Sequence, residues 1–600
     1  MVDSSFLPTT AAEMAARGWD ELDVLFISGD AYIDHPAFGV PLLARLLESR
    51  GFRVGIIAQP DWNERAAFTL MGRPKLCVAV SAGAMDSMVN HYTAARKRRR
   101  DDAYTPGGRS GARPNRAVIA YTAALKGVFK GLPVIIGGIE ASLRRLAHYD
   151  YWSDKVRRSI LVDSKADLLV HGMGETALLE IVSRLQYGAD ISEICDVPGS
   201  AWLAGDAAGA RLLPSFEQVA ADKKVYAEAF AVAARHGDRA LAQRHSNRYV
   251  VVNRRAAPLT TAQLDELYAL PFTRRPHPGY TETIPAFEQI RWSVTSHRGC
   301  QGGCAFCAIS SHQGRRVQSR SAASIVAEVE RISGDEHFGG TVSDVGGPTA
   351  NMYAVGLHDE KRCRGCRRDS CLYPQLCSNL SIDDAAAVGL LQRLQALPAV
   401  KHVFVASGVR FDLLARQPGY RRQLFEHHVG GLLKVAPEAL SDGLLEQMRK
   451  PRAQQFGRFV DAFRAFNARR GRKRALVPYL MAGHPGSTLD HMVDTALFLR
   501  RYNLRVEQVQ EFTPTPGTLA TCMYHTGIDP LRDCNVYICR SDKERRLQKA
   551  LLLYHLPENR TAVAQALKIT GRQRDGACLL EGSSRHVERN RRPARRNRRK

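Results

Sequence analysis

The sequence lacks a long apolar segment. Hydrophobic residues make up 44% of its 600 residues, but no stretch approaches the roughly 20 consecutive apolar residues that a membrane-spanning helix needs. The first residues, MVDSSFLPTTAAEMAARGWDELD, also lack the basic start and apolar run of a secretory signal. The sequence therefore predicts a cytoplasmic protein with no membrane partner.

Acidic residues are few for the number of basic ones. The chain has 60 Asp and Glu against 85 Lys and Arg, a formal net charge of +25. Part of the excess lies in the run RKRRR at 96–100, and part between Arg585 and Lys600, where nine of sixteen residues are Lys or Arg. Such runs are either solvated surface or a site for phosphates, so nucleic acid stays open as a partner. No known RNA-binding module is visible, which lowers that possibility.

The chain has no internal repeat, and its 600 residues exceed what one ordinary core holds. Between about 21 and 190, short apolar runs such as DVLFIS alternate with amphipathic stretches, a pattern typical of βαβ units in a parallel sheet. A similar alternation from RWSVTS to VEQVQEFTP predicts a partial (β/α) barrel, whose active face lies at the strand ends. We therefore predict an α/β protein with an N-terminal parallel-sheet domain (1–194), a helical or irregular connection (195–284), a barrel (285–565) and a basic, disordered tail (566–600).

One group of cysteines has no fourth member. Cys300, Cys304 and Cys307 form a C-x3-C-x2-C array. Cysteine thiolates hold iron–sulfur clusters, and a cube of four irons bound by only three of them keeps one iron open to a small molecule. Zinc is the alternative, with His297 or His312 as the fourth ligand.

The glycines of this array and Phe306 resemble the cluster loop of the radical S-adenosylmethionine (SAM) enzymes. The resemblance implies a 4Fe-4S cluster whose open iron binds the amino and carboxylate groups of SAM. It also implies reductive cleavage of SAM to a 5'-deoxyadenosyl radical, which abstracts hydrogen from a substrate. Such enzymes take electrons from an acidic one-electron donor of the flavodoxin or ferredoxin type, which a basic surface would steer to its docking site.

Glycine- and proline-rich turns end several later runs of β pattern. By resemblance to radical SAM folds, Gly346 and Gly347 are expected at the amino end of SAM, and Ser407, Arg410 and Glu438 at its carboxylate and ribose. A guanidinium forks onto a carboxylate, and a carboxylate accepts ribose hydroxyls. The same turns end strands in any α/β barrel, which explains part of the pattern without a ligand.

A second cysteine group, Cys363, Cys366, Cys371 and Cys377, has the spacing C-x2-C-x4-C-x5-C within a basic segment. Four thiolates in so short a run predict a metal site filled by protein ligands. Structural zinc and an auxiliary iron–sulfur cluster both stay open, as does a free thiol among the four.

The N-terminal domain resembles the cobalamin-binding-like domain that often precedes radical SAM cores. Its D-x-H-x-x-G motif is absent, because Asp34 and His35 are adjacent and Gly39 lies four residues beyond the histidine. We therefore expect no bound cobalamin, with a base-off mode left open.

Longer segments resemble the YgiQ family of radical SAM proteins between about residues 20 and 570. The resemblance implies a cluster-binding, SAM-dependent enzyme of undefined reaction, with methylthiolation or methylation of RNA as one candidate. A metal-stabilised nucleic-acid-binding protein with zinc at both cysteine groups is the rival interpretation. The segments are HYTAARKRRRDDAYTPGG (91–108), GGIEASLRRLAHYDYWSD (137–154), SDVGGPTANMY (343–353), LKVAPEALSDGLLEQMRKP (433–451) and VQEFTPTPGTLATCMYHTG (509–527).

Overall fold

Short apolar runs form the strands of the N-terminal domain, because both faces of its sheet are covered. Leu25 and Ile27 are buried in one apolar cluster, and Val24 and Phe26 in another, so alternate residues of the first strand serve two different cores. The computed structural model describes residues 5–363, 366 and 368–581. The strands are β1 (Val24–Ser28), β2 (Val54–Ala58), β3 (Cys77–Ser81), β4 (Val134–Gly137), β5 (His148–Asp150), β6 (Lys155–Arg157), β7 (Leu168–Val170), β8 (Ser200–Ala204), β9 (Arg211–Leu213), β10 (Leu241–His245) and β11 (Arg248–Val252).

Nine of these strands form one sheet in the order β2-β1-β3-β4-β7-β8-β11-β10-β9, while β5 and β6 form a separate hairpin. The first five are parallel, which confirms the predicted parallel-sheet domain. Ligands bind such sheets at the carboxyl ends of the strands. The helices of this region are α1 (Ala11–Ala16), α2 (Gly39–Glu48), α3 (Ser87–His91), α4 (Ala117–Val128), α5 (Gly138–Leu143), α6 (Ile160–Ser164), α7 (Glu175–Gln186), α8 (Phe216–Ala221), α9 (Lys223–Arg235) and α10 (Thr261–Ala269).

The connection predicted as helical or irregular at 195–284 differs from the structure, which has four strands there. β8 to β11 extend the N-terminal sheet, and β10 and β11 pair antiparallel. Ser246, with φ +57°, begins the two-residue turn between them, as tight hairpins require. The strands are only three to five residues long and carry polar residues, whereas the prolines of the second half of the segment suggested an irregular chain.

Residues 285–430 repeat strand and helix in the manner of a (β/α) barrel. β12 pairs parallel with β16, and β15 with β19, which confirms the predicted fold class. The strands are β12 (Ser293–Thr295), β13 (His297–Arg298), β14 (Gln318–Ser319), β15 (Thr341–Val342), β16 (Asp344–Gly346), β17 (Gly356–Leu357), β18 (Leu380–Ser381) and β19 (His402–Val403). The helices are α11 (Pro285–Ile290), α12 (Ile309–His312), α13 (Ala322–Ser333), α14 (Ala385–Gln395), α15 (Phe411–Leu414) and α16 (Pro418–His427).

The chain divides into two units, Met1–Gly430 with Thr513–Val536, and Gly431–Phe512 with Tyr537–Lys600. The second unit has a three-stranded parallel sheet of β20 (Leu432–Glu438), β21 (Ala475–Ala482) and β22 (Val509–Glu511). Its helices before the return to the first unit are α17 (Asp442–Gln447), α18 (Ala453–Arg469) and α19 (Leu489–Arg501). The returning segment contributes α20 (Leu519–Thr526), β23 (Ile528–Asp529) and β24 (Cys534–Asn535) to the first unit. The chain then adds α21 (Asp542–Leu552), α22 (Arg560–Ile569) and α23 (Gln573–Leu580) to the second.

Part of the predicted tail is ordered in the structure. α23 lies within 566–600. A β-carbon at Gly576 of α23 would lie 2.2 Å from the side chain of Leu567 in α22, so α22 and α23 pack closely. The periodic pattern was missed because the helix has only eight residues. Residues 582–600, with most of the basic run, lie outside the described residues. No helix within 5–363, 366 and 368–581 combines the length and apolar character needed to cross a membrane.

Candidate functional site

Two antiparallel strand pairs close the two cysteine-bearing loops. β13 pairs with β14 around the loop that carries Cys300, Cys304 and Cys307. β17 pairs with β18 around the loop that carries the second cysteine group. Short pairs of this kind bring the two ends of each loop together.

The loop that carries Cys300, Cys304 and Cys307 needs glycine at positions 302 and 303. Gly303 has φ +58°, and a β-carbon there would lie 2.4 Å from the carbonyl oxygen of Asp369. At Gly302 a β-carbon would lie 3.3 Å from Cys300 Sγ, 3.8 Å from Cys304 Sγ and 2.9 Å from Arg410 Nη1. The absence of a side chain at Gly302 therefore leaves a space lined by two thiols.

Polar groups surround these thiols. Cys300 Sγ accepts a hydrogen bond of 3.4 Å from the Gly302 N–H and lies 3.6 Å from Thr349 Oγ1. Burial raises the pKa of the Cys300 thiol, and the neighbouring Cys304 raises it further, whereas the Gly302 N–H and Arg410 lower it. The Gly302 N–H and the positive charge of Arg410 therefore favour the thiolate form of Cys300.

Arg410 lies beside the thiol of Cys304, and its guanidinium group forms an ion pair with Asp412. Its Nη2 lies 2.7 Å from Asp412 Oδ2 and its Nη1 lies 3.6 Å from Cys304 Sγ. Burial alone would lower the pKa of Arg410, but Asp412 and Cys304 raise it above its ordinary value. Asp412 therefore holds one face of the guanidinium, and the expected contact of Arg410 with a SAM carboxylate stays a prediction. The sequence signal for the ion pair was the carboxylate two residues after the arginine.

The strand end at Gly346 and Gly347 lies against the cysteine loop. A β-carbon at Gly347 would lie 2.7 Å from the His297 carbonyl oxygen, and one at Gly346 would lie 2.4 Å from Ser407 Oγ. The Ser407 hydroxyl donates a hydrogen bond to Asp344. The predicted Gly346, Gly347 and Ser407 are therefore brought together, and Asp344 is a member of the group that sequence reasoning missed.

Glu438 belongs to the second unit and ends β20 with φ +68°. Its side chain is buried, and its Oε2 has no hydrogen-bond partner among the described residues. Burial raises the pKa of this carboxyl group, while Lys450 lowers it. A buried acceptor without a donor is costly and suits a hydroxyl group, so the expected contact with a ribose stays a prediction.

His297 is occupied by protein partners. Its Nδ1 lies 2.9 Å from Ser296 Oγ and its Nε2 lies 3.0 Å from the Thr349 carbonyl oxygen. Burial lowers its pKa to about 4. With both ring nitrogens engaged, this histidine is not available as the fourth ligand of a zinc ion.

The second cysteine group touches the first loop. The Cys371 N–H donates to the Gln301 carbonyl oxygen at 3.2 Å, and Ser370 Oγ donates to the Gly302 carbonyl oxygen at 2.6 Å. Cys363 Sγ accepts from Asn379 Nδ2 at 3.2 Å. Among the residues that the structure describes, no three Cys, His, Asp or Glu side chains converge on one point as ligands of a single metal ion. In a four-iron cluster, by contrast, each thiolate binds a different iron.

A cavity of about 680 Å³ opens beside both cysteine groups. Cys304 and Cys307 line it together with Arg145 and Arg255. Burial lowers the pKa of Arg145 to about 9, and the nearby Arg255 adds to the shift. Two partly buried arginines in its wall make the cavity electropositive, which favours an anionic group within it.

A second cavity, of about 490 Å³, lies at the carboxyl edge of the N-terminal sheet. Its lining includes Ser28, Asp30 and Gly138, which follow or end parallel strands, and also Gly347. Burial raises the pKa of Asp30 to about 6, against the opposing effect of Arg113. The glycine-rich strand ends therefore form a cavity where doubly wound sheets bind ligands.

Family models match three consecutive parts of the chain. Residues 6–293 match "Radical SAM N-terminal", residues 294–499 match "Radical SAM superfamily", and residues 507–598 match "Domain of unknown function (DUF3362)". A UPF0313 protein of Geobacter sulfurreducens is 57% identical over 588 residues, 97% of this chain and 97% of that protein. A UPF0313 protein of Methanocella arvoryzae is 47% identical over 565 residues, 93% and 94% of the two chains.

Solved structures also resemble the chain. The radical SAM methyltransferase TsrM from Kitasatospora setae, with tryptophan substrate and a SAM analog, has a TM-score of 0.47 and 15% identity, covering 82% of this chain and 74% of that one. The cobalamin-dependent SAM radical enzyme OxsB, with aqua-cobalamin bound, has a TM-score of 0.47 and 10% identity, covering 82% and 54%.

These structures correct one expectation from the sequence. TsrM is also known with cobalamin and a 4Fe-4S cluster bound, and OxsB is cobalamin-dependent. These neighbours contradict the expectation of no bound cobalamin, drawn from the absent D-x-H-x-x-G motif, and that expectation is withdrawn. The absent motif bears only on a histidine bond to cobalt.

Proposed function

This chain belongs to the UPF0313, or YgiQ, family of radical SAM proteins, and on that premise we propose an enzyme that cleaves SAM reductively at a 4Fe-4S cluster held by Cys300, Cys304 and Cys307. The observation that carries the proposal is the thiol-lined space at Gly302. When bound, the cluster and SAM supply a 5'-deoxyadenosyl radical through one-electron reduction of a carbon–sulfur bond, and the radical takes hydrogen from a substrate.

The three cysteines fit a cluster with one open iron. They lie in one loop closed by β13 and β14, and the sequence has no fourth cysteine in that loop. His297 is engaged through both ring nitrogens by Ser296 and Thr349. Three protein thiolates therefore leave one iron for SAM.

Neighbouring groups stabilise the thiolates. The Gly302 N–H points to Cys300 Sγ, and Arg410 brings a permanent positive charge to Cys304 Sγ. Asp412 fixes the guanidinium by a bidentate ion pair. Arg410 is therefore a positioning and charge-compensating residue for the ligand set in this proposal.

The strand end at Gly346 and Gly347 supports the SAM assignment. Side chains at either glycine would collide with Ser407 or His297, so only glycine fits at both positions, and Gly347 also lines a cavity. A bare backbone edge offers N–H and C=O groups to the polar end of a ligand. Ser407, fixed by its hydrogen bond to Asp344, keeps an oxygen lone pair for a ligand hydroxyl or amine.

The cavity of about 680 Å³ supports a substrate position beside the thiols of Cys304 and Cys307. Arg145 and Arg255 in its wall favour a substrate with a phosphate or carboxylate group. A nucleotide or an RNA segment meets that requirement, as does a small anionic metabolite.

Formation of 5'-deoxyadenosine tests the proposal. The protein is purified without oxygen, reconstituted with iron and sulfide, reduced and supplied with SAM. We expect 5'-deoxyadenosine from the native chain and from Cys534→Ala, which removes an exposed thiol, and none above background from Cys304→Ala. Equal product from Cys304→Ala, or a colourless native protein with zinc at the three cysteines, would overturn the proposal.

A further inference from the structure

We propose that Cys363, Cys366, Cys371 and Cys377 bind a second iron–sulfur cluster, held entirely by protein thiolates and packed against the loop of the first. The proposal rests on the proposed function only for the identity of the neighbouring centre. The binding of iron by these four residues is testable without it.

The four cysteines lie in one closed loop. β17 and β18 bring its ends together at Leu357 and Leu380. Within it the Cys366 N–H donates to the Cys363 carbonyl oxygen at 3.3 Å, and the Cys377 N–H donates to the Cys371 carbonyl oxygen at 2.8 Å. The loop therefore folds into two pairs of neighbouring cysteines, as a four-thiolate site requires.

The loop shares its packing with the first cysteine group. Cys300, Cys371 and Cys377 contact the same apolar cluster, built on Met352, Leu372 and Leu413 among others. The backbone contacts from Cys371 to Gln301 and from Ser370 to Gly302 join the two loops directly. A centre in the second loop would therefore lie next to one in the first.

Both cysteine groups reach one cavity. Cys363 and Cys366 line the same cavity of about 680 Å³ as Cys304 and Cys307. A structural zinc ion is a closed site that stabilises a fold. A group that faces the reaction cavity, beside thiols assigned to a redox cluster, is placed for one-electron chemistry, and we therefore choose iron and sulfide over zinc. Because four thiolates fill every iron, SAM has no open iron at the second cluster.

Metal analysis of variants tests the proposal. The native chain, Cys534→Ala as control, a triple variant with Cys300, Cys304 and Cys307 changed to Ala, and a double variant with Cys371 and Cys377 changed to Ala are reconstituted identically. Iron, sulfide and zinc are then counted per chain. We expect about eight irons in the native chain and the control, and about four in each of the other two.

Electron paramagnetic resonance of the reduced proteins separates the two sites. We expect the signal of the triple variant to be unchanged by SAM, and that of the double variant to change when SAM is added. Zinc or no metal in the triple variant, or eight irons in the double variant, would overturn the second cluster. Loss of SAM response in the double variant, with four irons still in the triple, would instead overturn the proposed function and leave the second cluster standing.

The native chain gives a check that does not depend on how variants fold. Iron-57 Mössbauer spectra should show two four-iron clusters, only one of which changes with SAM. A single four-iron cluster that responds to SAM would contradict the proposal.

Discussion

Gly302 lies beside the thiols of Cys300 and Cys304, two of the three proposed cluster ligands. Its missing β-carbon would lie 3.3 Å from Cys300 Sγ and 2.9 Å from Arg410 Nη1. Contacts this short force a neighbour to move. The motif identified the cysteines, but only the folded structure shows which glycine faces the sulfurs.

Gly302→Val should therefore lose cluster iron. We expect about half the iron of the native chain after reconstitution, because the added side chain occupies the space between the thiols while the second cysteine group keeps its iron. Iron per chain and the visible absorbance measure this. Gly389→Ala, in a helix with open space around the β-carbon, should match the native chain. Full iron in Gly302→Val would contradict this placement of the thiols.

Asp30 predicts a pH dependence of stability. Burial raises its pKa from 3.8 to about 6 in the folded chain. Between about pH 4 and about pH 6 Asp30 is protonated in the folded protein and ionised in the unfolded chain. The contribution of Asp30 to the free energy of unfolding therefore falls as the pH rises through this range, and it is constant above it. This difference in pKa between the folded and the unfolded chain corresponds to roughly 3 kcal/mol in the free energy of unfolding.

The comparison with Asp30→Asn measures this effect. The free energy of unfolding of the native chain should fall by up to roughly 3 kcal/mol relative to the variant between about pH 4 and pH 6. Asp101→Asn, at an exposed position, should follow the native chain. A constant difference between native and Asp30→Asn across this range would refute the shift.

At the scale of elements, the two closed cysteine loops act as one body. Ser370 is buried, and its hydroxyl donates to the Gly302 carbonyl oxygen and accepts from the N–H groups of Leu372 and Tyr373 at 3.0 Å. One side chain therefore joins the loops and shapes the second of them.

Ser370→Ala should weaken both metal sites. Leaving buried backbone groups without a partner costs about 1–3 kcal/mol, so we expect a lower thermal midpoint and faster loss of iron to a chelator. Ser378→Ala, at an exposed position of the same loop, should behave as the native chain. Unchanged iron loss in Ser370→Ala would show that the loops are independent.

Prediction from sequence succeeded for elements whose apolar residues follow a clear pattern. The five parallel strands are continuous apolar runs such as VLFIS and VGIIA, and such runs identify a covered sheet. It missed β8 to β11, because short strands such as LAQRH show neither a continuous apolar run nor an alternation of polar and apolar residues. It also missed α23, which is held by packing against Leu567 rather than by a long pattern.

Contacts between distant segments could not be predicted from the sequence. Cysteine spacing proposed both metal groups, but it does not show that Cys371 touches Gln301 or that Arg410 reaches Cys304. Such contacts arise from the fold of the whole unit.

At the scale of the whole molecule, the net charge of +25 favours binding partners that are acidic. Arg98, Arg99 and Arg100 are exposed in the basic loop at 96–100. An acidic one-electron donor of the flavodoxin or ferredoxin type would be attracted by this field, and salt would screen the attraction.

Changing these three arginines to Glu should slow reduction by such a donor at low salt by about tenfold or more, while reduction by dithionite stays unchanged. The rate of cluster bleaching measures both. Changing Lys223, Lys224 and Arg239 to Glu reverses the same amount of charge at other exposed positions and should have a smaller effect. Equal slowing in both variants would place the docking surface elsewhere.

The most direct test of the central claim is whether SAM binds the open iron of the cluster held by Cys300, Cys304 and Cys307. Electron–nuclear double resonance on the reduced protein with SAM labelled with nitrogen-15 in its amino group gives the answer. We predict a hyperfine coupling from that nitrogen in the native chain and in the Cys371 and Cys377 double variant, and none in Cys304→Ala. A reduced cluster that binds SAM in solution but shows no such coupling would contradict the account.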